Sequence, residues 1–98
     1  MLRERLRPIL GSRLLGMRLF GSFARREAHA ESDVDVLILL EDEPRSEERE
    51  ALFDAIAQVD RDARVWISPF VCSEARFRRM LGDEVGLALD IMAEGITV

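Results

Sequence analysis

The sequence predicts an α+β (mixed α/β) fold, a small mixed β-sheet backed by helices. Three observations predict it. Residues 34–40, Val-Asp-Val-Leu-Ile-Leu-Leu, make an apolar run of strand length. Its far half is apolar at every position, as in a central strand covered on both faces. Residues 45–60 place Leu52, Phe53, Ile56 and Val59 on one helical stripe, with Arg and Glu opposite. Finally, the elements read α-β-α-β-α-β-α-α, which sets helices on one side of a mixed sheet. At 98 residues the chain suits a single domain, 1–98, with a shallow surface site.

Leu2, Leu6, Ile9, Leu10 and Leu14 recur at helical spacing, so residues 2–14 form an amphipathic helix, bent or restarted near Pro8, with Gly11 or Gly16 as its end. Leu15 to Phe20 is a short apolar strand with one interior Arg, stopped by Gly21. Residues 22–27 are compatible with a short helix, and 28–32 read as loop, His29 among them. After the strand at 34–40, Pro44 opens the helix over 45–60. Residues 63–71 are a third strand. Pro69 cannot donate to a ladder, so that strand lies at an edge or its regular part ends there. Ser73-Glu74 caps a helix through Leu81. Asp83-Glu84 starts another, with Val85, Leu87, Ala88, Ile91 and Met92 as core positions, and Gly95 ends it. Ile96 to Val98 adds a short final strand or packs down.

The formal net charge of −5 argues against a dedicated nucleic-acid binder, which needs excess positive charge to displace counterions. No run of eighteen apolar residues spans a membrane, and the N-terminus lacks the apolar stretch of a signal peptide, so a cytoplasmic protein is expected. All fourteen basic residues are Arg, which removes lysine as a phosphate anchor or Schiff base. The single cysteine, Cys72, excludes an internal disulfide and reads as a buried structural thiol. Phe70, Phe77 and Trp66 read first as core.

The chemistry concentrates in residues 21–35. Asp33 and Asp35 share one face of a strand, because side chains alternate. Two carboxylates so placed repel unless a cation lies between them, and Mg²⁺ takes such oxygen ligands together with substrate phosphates. Taken alone, a D-x-D is more often a loop end followed by an exposed strand residue. Gly21-Ser22 adds a second corner. Glycine permits close backbone approach, serine offers a hydroxyl and an amide, and a following helix start offers unpaired N–H groups. Alone, Gly-Ser is usually a plain turn; the pairing of a phosphate corner with a metal corner is the informative feature.

Gly21-Ser22-Phe23-Ala24-Arg25 with Ser32-Asp33-Val34-Asp35 resembles the G-S-x-A-R…S-D-x-D signature of the minimal nucleotidyltransferases, in the polymerase-beta-like superfamily; ten residues separate Ser22 from Asp33. The resemblance implies a polymerase-beta-like nucleotidyltransferase fold. It implies that Gly21, Ser22 and Arg25 bind the phosphates of a nucleoside triphosphate, with Arg25 equally suited to an internal salt bridge. It implies that Asp33 and Asp35 are catalytic and hold Mg²⁺, and that a hydroxyl attacks the α-phosphorus of ATP with release of pyrophosphate. Minimal members resemble the antitoxin half of two-protein modules whose partner is a helical HEPN-domain toxin, with AMP transfer to a tyrosine of that partner. This chain contains no Tyr, so the acceptor is not its own tyrosine. Two departures stand out. Arg26 replaces the family's usual Gly, and residues 63–71 hold no acid where active members carry a third Asp. Trp66 or Ser68 takes that place, and Asp60 and Asp62 lie just before it. The alternative is therefore a catalytically weak nucleotidyltransferase-fold subunit that neutralises its partner by contact. A small-molecule-modifying enzyme fits least, for want of an acceptor domain.

Overall fold

The computed structural model describes residues 2–20 and 34–97. The expected short helix at 22–27, the loop at 28–32 and His29 lie outside the described residues. Helix α1 spans Leu2–Leu10 and passes through a 3₁₀ turn, Gly11–Arg13, into strand β1, Leu14–Phe20. Strand β2 is Val34–Leu40, helix α2 Ser46–Ala63 and strand β3 Ile67–Ser73. Helices α3, Glu74–Gly82, and α4, Gly86–Glu94, precede a two-residue strand β4, Ile96–Thr97.

The strand order is β3-β2-β1-β4. β1 runs antiparallel to β2 and β4, whereas β2 and β3 are parallel. A parallel pair needs a crossover, which α2 supplies. The α+β reading of a mixed sheet backed by helices therefore holds, and β2 is interior, as its apolar run predicted. β3 is an edge strand, which tolerates Pro69. Between Leu14 and Gly16 the register shifts, so Leu15 is the extra residue of a bulge and stands exposed.

Helices cover both faces of the sheet, rather than the one side expected. Along β2, Val36, Ile38 and Leu40 pack with Leu6 and Leu10 of α1 and Leu52 and Ile56 of α2. On the other face Leu37 packs with Phe20, Cys72, Phe77 of α3, and Ala88 and Ile91 of α4. A strand that feeds two cores must be apolar at consecutive positions, which explains the unbroken Val36–Leu40 run.

Several boundaries differ from the sequence reading. α1 stops short of Leu14, ending at Leu10 at the first of the two glycines expected to end it, because Gly11 takes φ = 55°. α2 runs to Ala63, past the expected end at residue 60, so β3 begins at Ile67 rather than 63. α4 begins at Gly86, since Glu84 adopts φ = 55° and cannot continue a right-handed turn. Of its expected core positions only Ala88 and Ile91 are buried; Val85, Leu87 and Met92 are exposed. Phe53 likewise stands at the edge of the α2 stripe and is exposed, and Trp66 is 70% exposed, not core. Phe77 is buried as expected. Ser73 caps α3 as predicted, its Oγ accepting the Arg76 N–H at 3.2 Å.

Candidate functional site

Asp35 is the second residue of β2, at the end of the sheet where β1 finishes. It lies in register with Phe20 of β1 on one side and Ser68 of β3 on the other. Strand alternation places it on the face of Leu37 and Leu39, the side covered by α3 and α4. It is half-buried: Phe20 and Leu37 close the core beneath it, while Ser68 beside it is exposed. Residues 20 and 34 thus flank the segment 21–33 at one end of the sheet. The other predicted site residues, Gly21, Ser22, Arg25 and Asp33, lie outside the described residues.

In the β2–β3 register Asp35 lies beside Ser68, its parallel partner, and not beside Trp66. Trp66 precedes β3, and its carbonyl accepts the Val34 N–H at 2.7 Å. That bond extends the β2–β3 ladder by one rung and fixes the entry of β2. Asp60 and Asp62 are occupied elsewhere. Asp60 Oδ1 accepts the Ile67 N–H at 2.8 Å, tying the end of α2 to the start of β3. Asp62 pairs with Arg5 of α1 at 2.7 Å. Among the described residues no group of three His, Cys, Asp or Glu side chains is placed to hold a metal. The oxygen donors at this corner, the Asp35 carboxylate and the Ser68 hydroxyl, are hard ligands of the type Mg²⁺ prefers.

Arg18 is a residue the sequence reading passed over as the interior Arg of a strand. It is in register with Leu37, one step down from the Phe20–Asp35 pair and on the same face. The signal was its even spacing from Phe20. It places a permanent positive charge on the side of the sheet that carries Asp35.

At the far end of β3, Cys72 is fully buried, and its thiol donates to the Ser73 carbonyl at 3.3 Å. Burial pushes its pKa up, with Glu43 reinforcing and Arg76 and Arg79 opposing. A protonated, inaccessible thiol is a packing group, not a nucleophile.

No helix among the described residues is long and apolar enough to cross a membrane. Residues 2–85 match the profile of the nucleotidyltransferase domain family. A protein of Methanocaldococcus jannaschii, provisionally named a protein adenylyltransferase, is 36% identical over 63 residues, a stretch that spans 64% of this chain and 64% of that protein. The chain therefore matches less than two thirds of that relative's length. Among solved structures, a toxin–antitoxin crystallised with AMP-PNP superposes with a TM-score of 0.67 at 17% identity, covering 98% of this chain and 68% of that one. A mutant of the toxin–antitoxin MntA–HpeT gives 0.63 at 14% identity, covering 96% and 66%. At such identities the superpositions establish a shared fold.

Proposed function

The chain belongs to the nucleotidyltransferase domain family, and on that premise we propose that it transfers AMP from ATP to a hydroxyl of a partner protein. The acceptor in this reading is a tyrosine of a helical HEPN-type toxin, and the chain acts in the cytoplasm as the antitoxin. The observation that carries it is Asp35: the last residue of the S-D-x-D signature stands at the entry of an interior strand, paired on both sides. Support for the substrate and partner comes from the adenylyltransferase relative and from the toxin–antitoxin structures, one of them holding an ATP analogue.

In this reading Asp33 and Asp35 hold Mg²⁺, which neutralises charge on the triphosphate when bound. Gly21, Ser22 and Arg25 grip the phosphates. The acceptor oxygen forms a bond to the α-phosphorus, the bond to the bridging oxygen breaks, and pyrophosphate leaves. The chain's share is positioning: β2, hydrogen-bonded on both sides, keeps the Asp35 backbone from moving as charge shifts.

Ser68 beside Asp35 favours a second reading, in which the fold binds nucleotide but neutralises its partner by contact. One experiment separates the two. The protein is incubated with Mg²⁺, ATP labelled at the α-phosphate and a helical HEPN-domain protein, in parallel with Asp33→Ala/Asp35→Ala. Label on a partner tyrosine, absent with the double variant, is the expected result. No label, with partner binding unchanged in the variant, sinks the transferase reading in favour of contact.

A further inference from the structure

We propose that the apolar cavity open between α1, the end of α2 and the sheet binds a small amphiphilic anion through the guanidinium of Arg3. The anion is a carboxylate or phosphate monoester carrying a short alkyl tail. The cavity has a volume of about 290 Å³. Met17 and Leu19 of β1, Val36 of β2, Val59 of α2 and Ile67 of β3 form its walls, and Arg3 is the one polar side chain lining it. Val36 turns to the opposite face of the sheet from Asp35, so the cavity walls and Asp35 belong to different faces.

Arg3 is what makes this cavity more than a packing gap. Its Nε is buried and has no hydrogen-bond partner. Among the described residues it pairs with no carboxylate, in a chain of nineteen acidic and fourteen basic residues. Arg5, two residues along α1, shows the contrast: it bonds Asp62 at 2.7 Å and Gln58 at 3.3 Å. A guanidinium stays charged at any working pH, so a buried, unpartnered N–H on it calls for an acceptor. α1 opens at Leu2, and its first-turn amides add positive potential beside Arg3. A neutral hydrocarbon would leave the Nε–H unpaired. A bare inorganic anion would leave the apolar walls wet. An amphiphilic anion satisfies both. At roughly 30 Å³ per water-sized group, the space takes a head group and a tail of about six to eight carbons.

The test titrates the full chain, methyl-labelled for NMR, with sodium octanoate, hexyl phosphate and 1-octanol. At least one anion should shift the methyl resonances of Val36, Val59 and Ile67 saturably, and the stronger of the two identifies the head group. Octanol should bind at least tenfold more weakly than octanoate or hexyl phosphate, whichever is the stronger. Arg3→Met should weaken that anion at least tenfold, and Val59→Phe, which fills the cavity with Arg3 intact, should abolish its shifts. Absence of saturable shifts with both anions overturns the proposal. So do shifts confined to the exposed apolar residues of α4, or an unchanged affinity in Arg3→Met.

Discussion

Arg64 holds φ = 55° just past the end of α2, and its N–H donates to the Asp60 carbonyl. A side chain in the left-handed region costs about 1 kcal/mol, which glycine avoids at the expense of a more flexible unfolded chain. Arg64→Gly should therefore stabilise the protein by roughly 0.5 kcal/mol, read as a higher urea midpoint. Gly95 is constrained by space instead. A Cβ there would sit 2.3 Å from the Ile91 carbonyl oxygen, and Gly95 needs that closeness to donate its own N–H to the same oxygen at 2.7 Å. Gly95→Ala should cost about 1–3 kcal/mol, whereas Gly82→Ala, with nothing within 4 Å of the added carbon, should stay within about 0.5 kcal/mol of wild type.

At the level of elements, the junctions around β3 carry most of the information. Ser73 ends β3 and caps α3 in one residue: its Oγ accepts from Arg76 N and donates to Glu43 Oε1 at 3.1 Å. Ser73→Ala removes both bonds and should lower stability by about 1–2 kcal/mol, measured by thermal unfolding. Ser73 was legible because a cap is a local pattern. The start of β3 was not. Ala63-Arg64-Val65-Trp66 has strand-like composition, yet Ala63 stays helical and the next three residues form the connection. Two side-chain contacts decide this: Asp62 is drawn to Arg5 across 57 positions, and Asp60 takes up the Ile67 N–H. The α4 pattern failed for a related reason. Its residues are apolar nearly all round, so periodicity could not say which of them face the sheet.

For the whole molecule, the two cores share one sheet, and adjacent β2 residues belong to different cores. Ile38→Ala and Leu37→Ala each remove a fully buried side chain and should each cost about 2–5 kcal/mol. Against a total of about 5–15 kcal/mol for a chain this size, the double variant should be largely unfolded by circular dichroism at room temperature. Cys72 offers a global probe. With no Lys and no Tyr in the chain, it is the one side chain titrating in the alkaline range below arginine. Its folded pKa is raised, so the native state keeps the proton after the unfolded chain has lost it. Stability is then full below the ordinary thiol pKa of 9.0 and falls as pH rises above it. A denaturant midpoint that declines above that pH in wild type, and stays level in Cys72→Ala, is the expected result.

By itself the sequence determined the order of the described helices and of strands β1 to β3, and the interior strand at Val34–Leu40. These are readable because periodicity, capping and motif spacing are properties of neighbouring residues. Tertiary structure alone decided that helices cover both faces, that Ser68 is the partner of Asp35, that Arg18 shares its face, and that the Nε of half-buried Arg3 is left without a partner beside an apolar cavity. The pairing of Ser68 and the placing of Arg18 depend on register between strands, and the other two on how helices pack against the sheet. A shift of one residue in that register turns every side chain to the other face, and no local pattern records it.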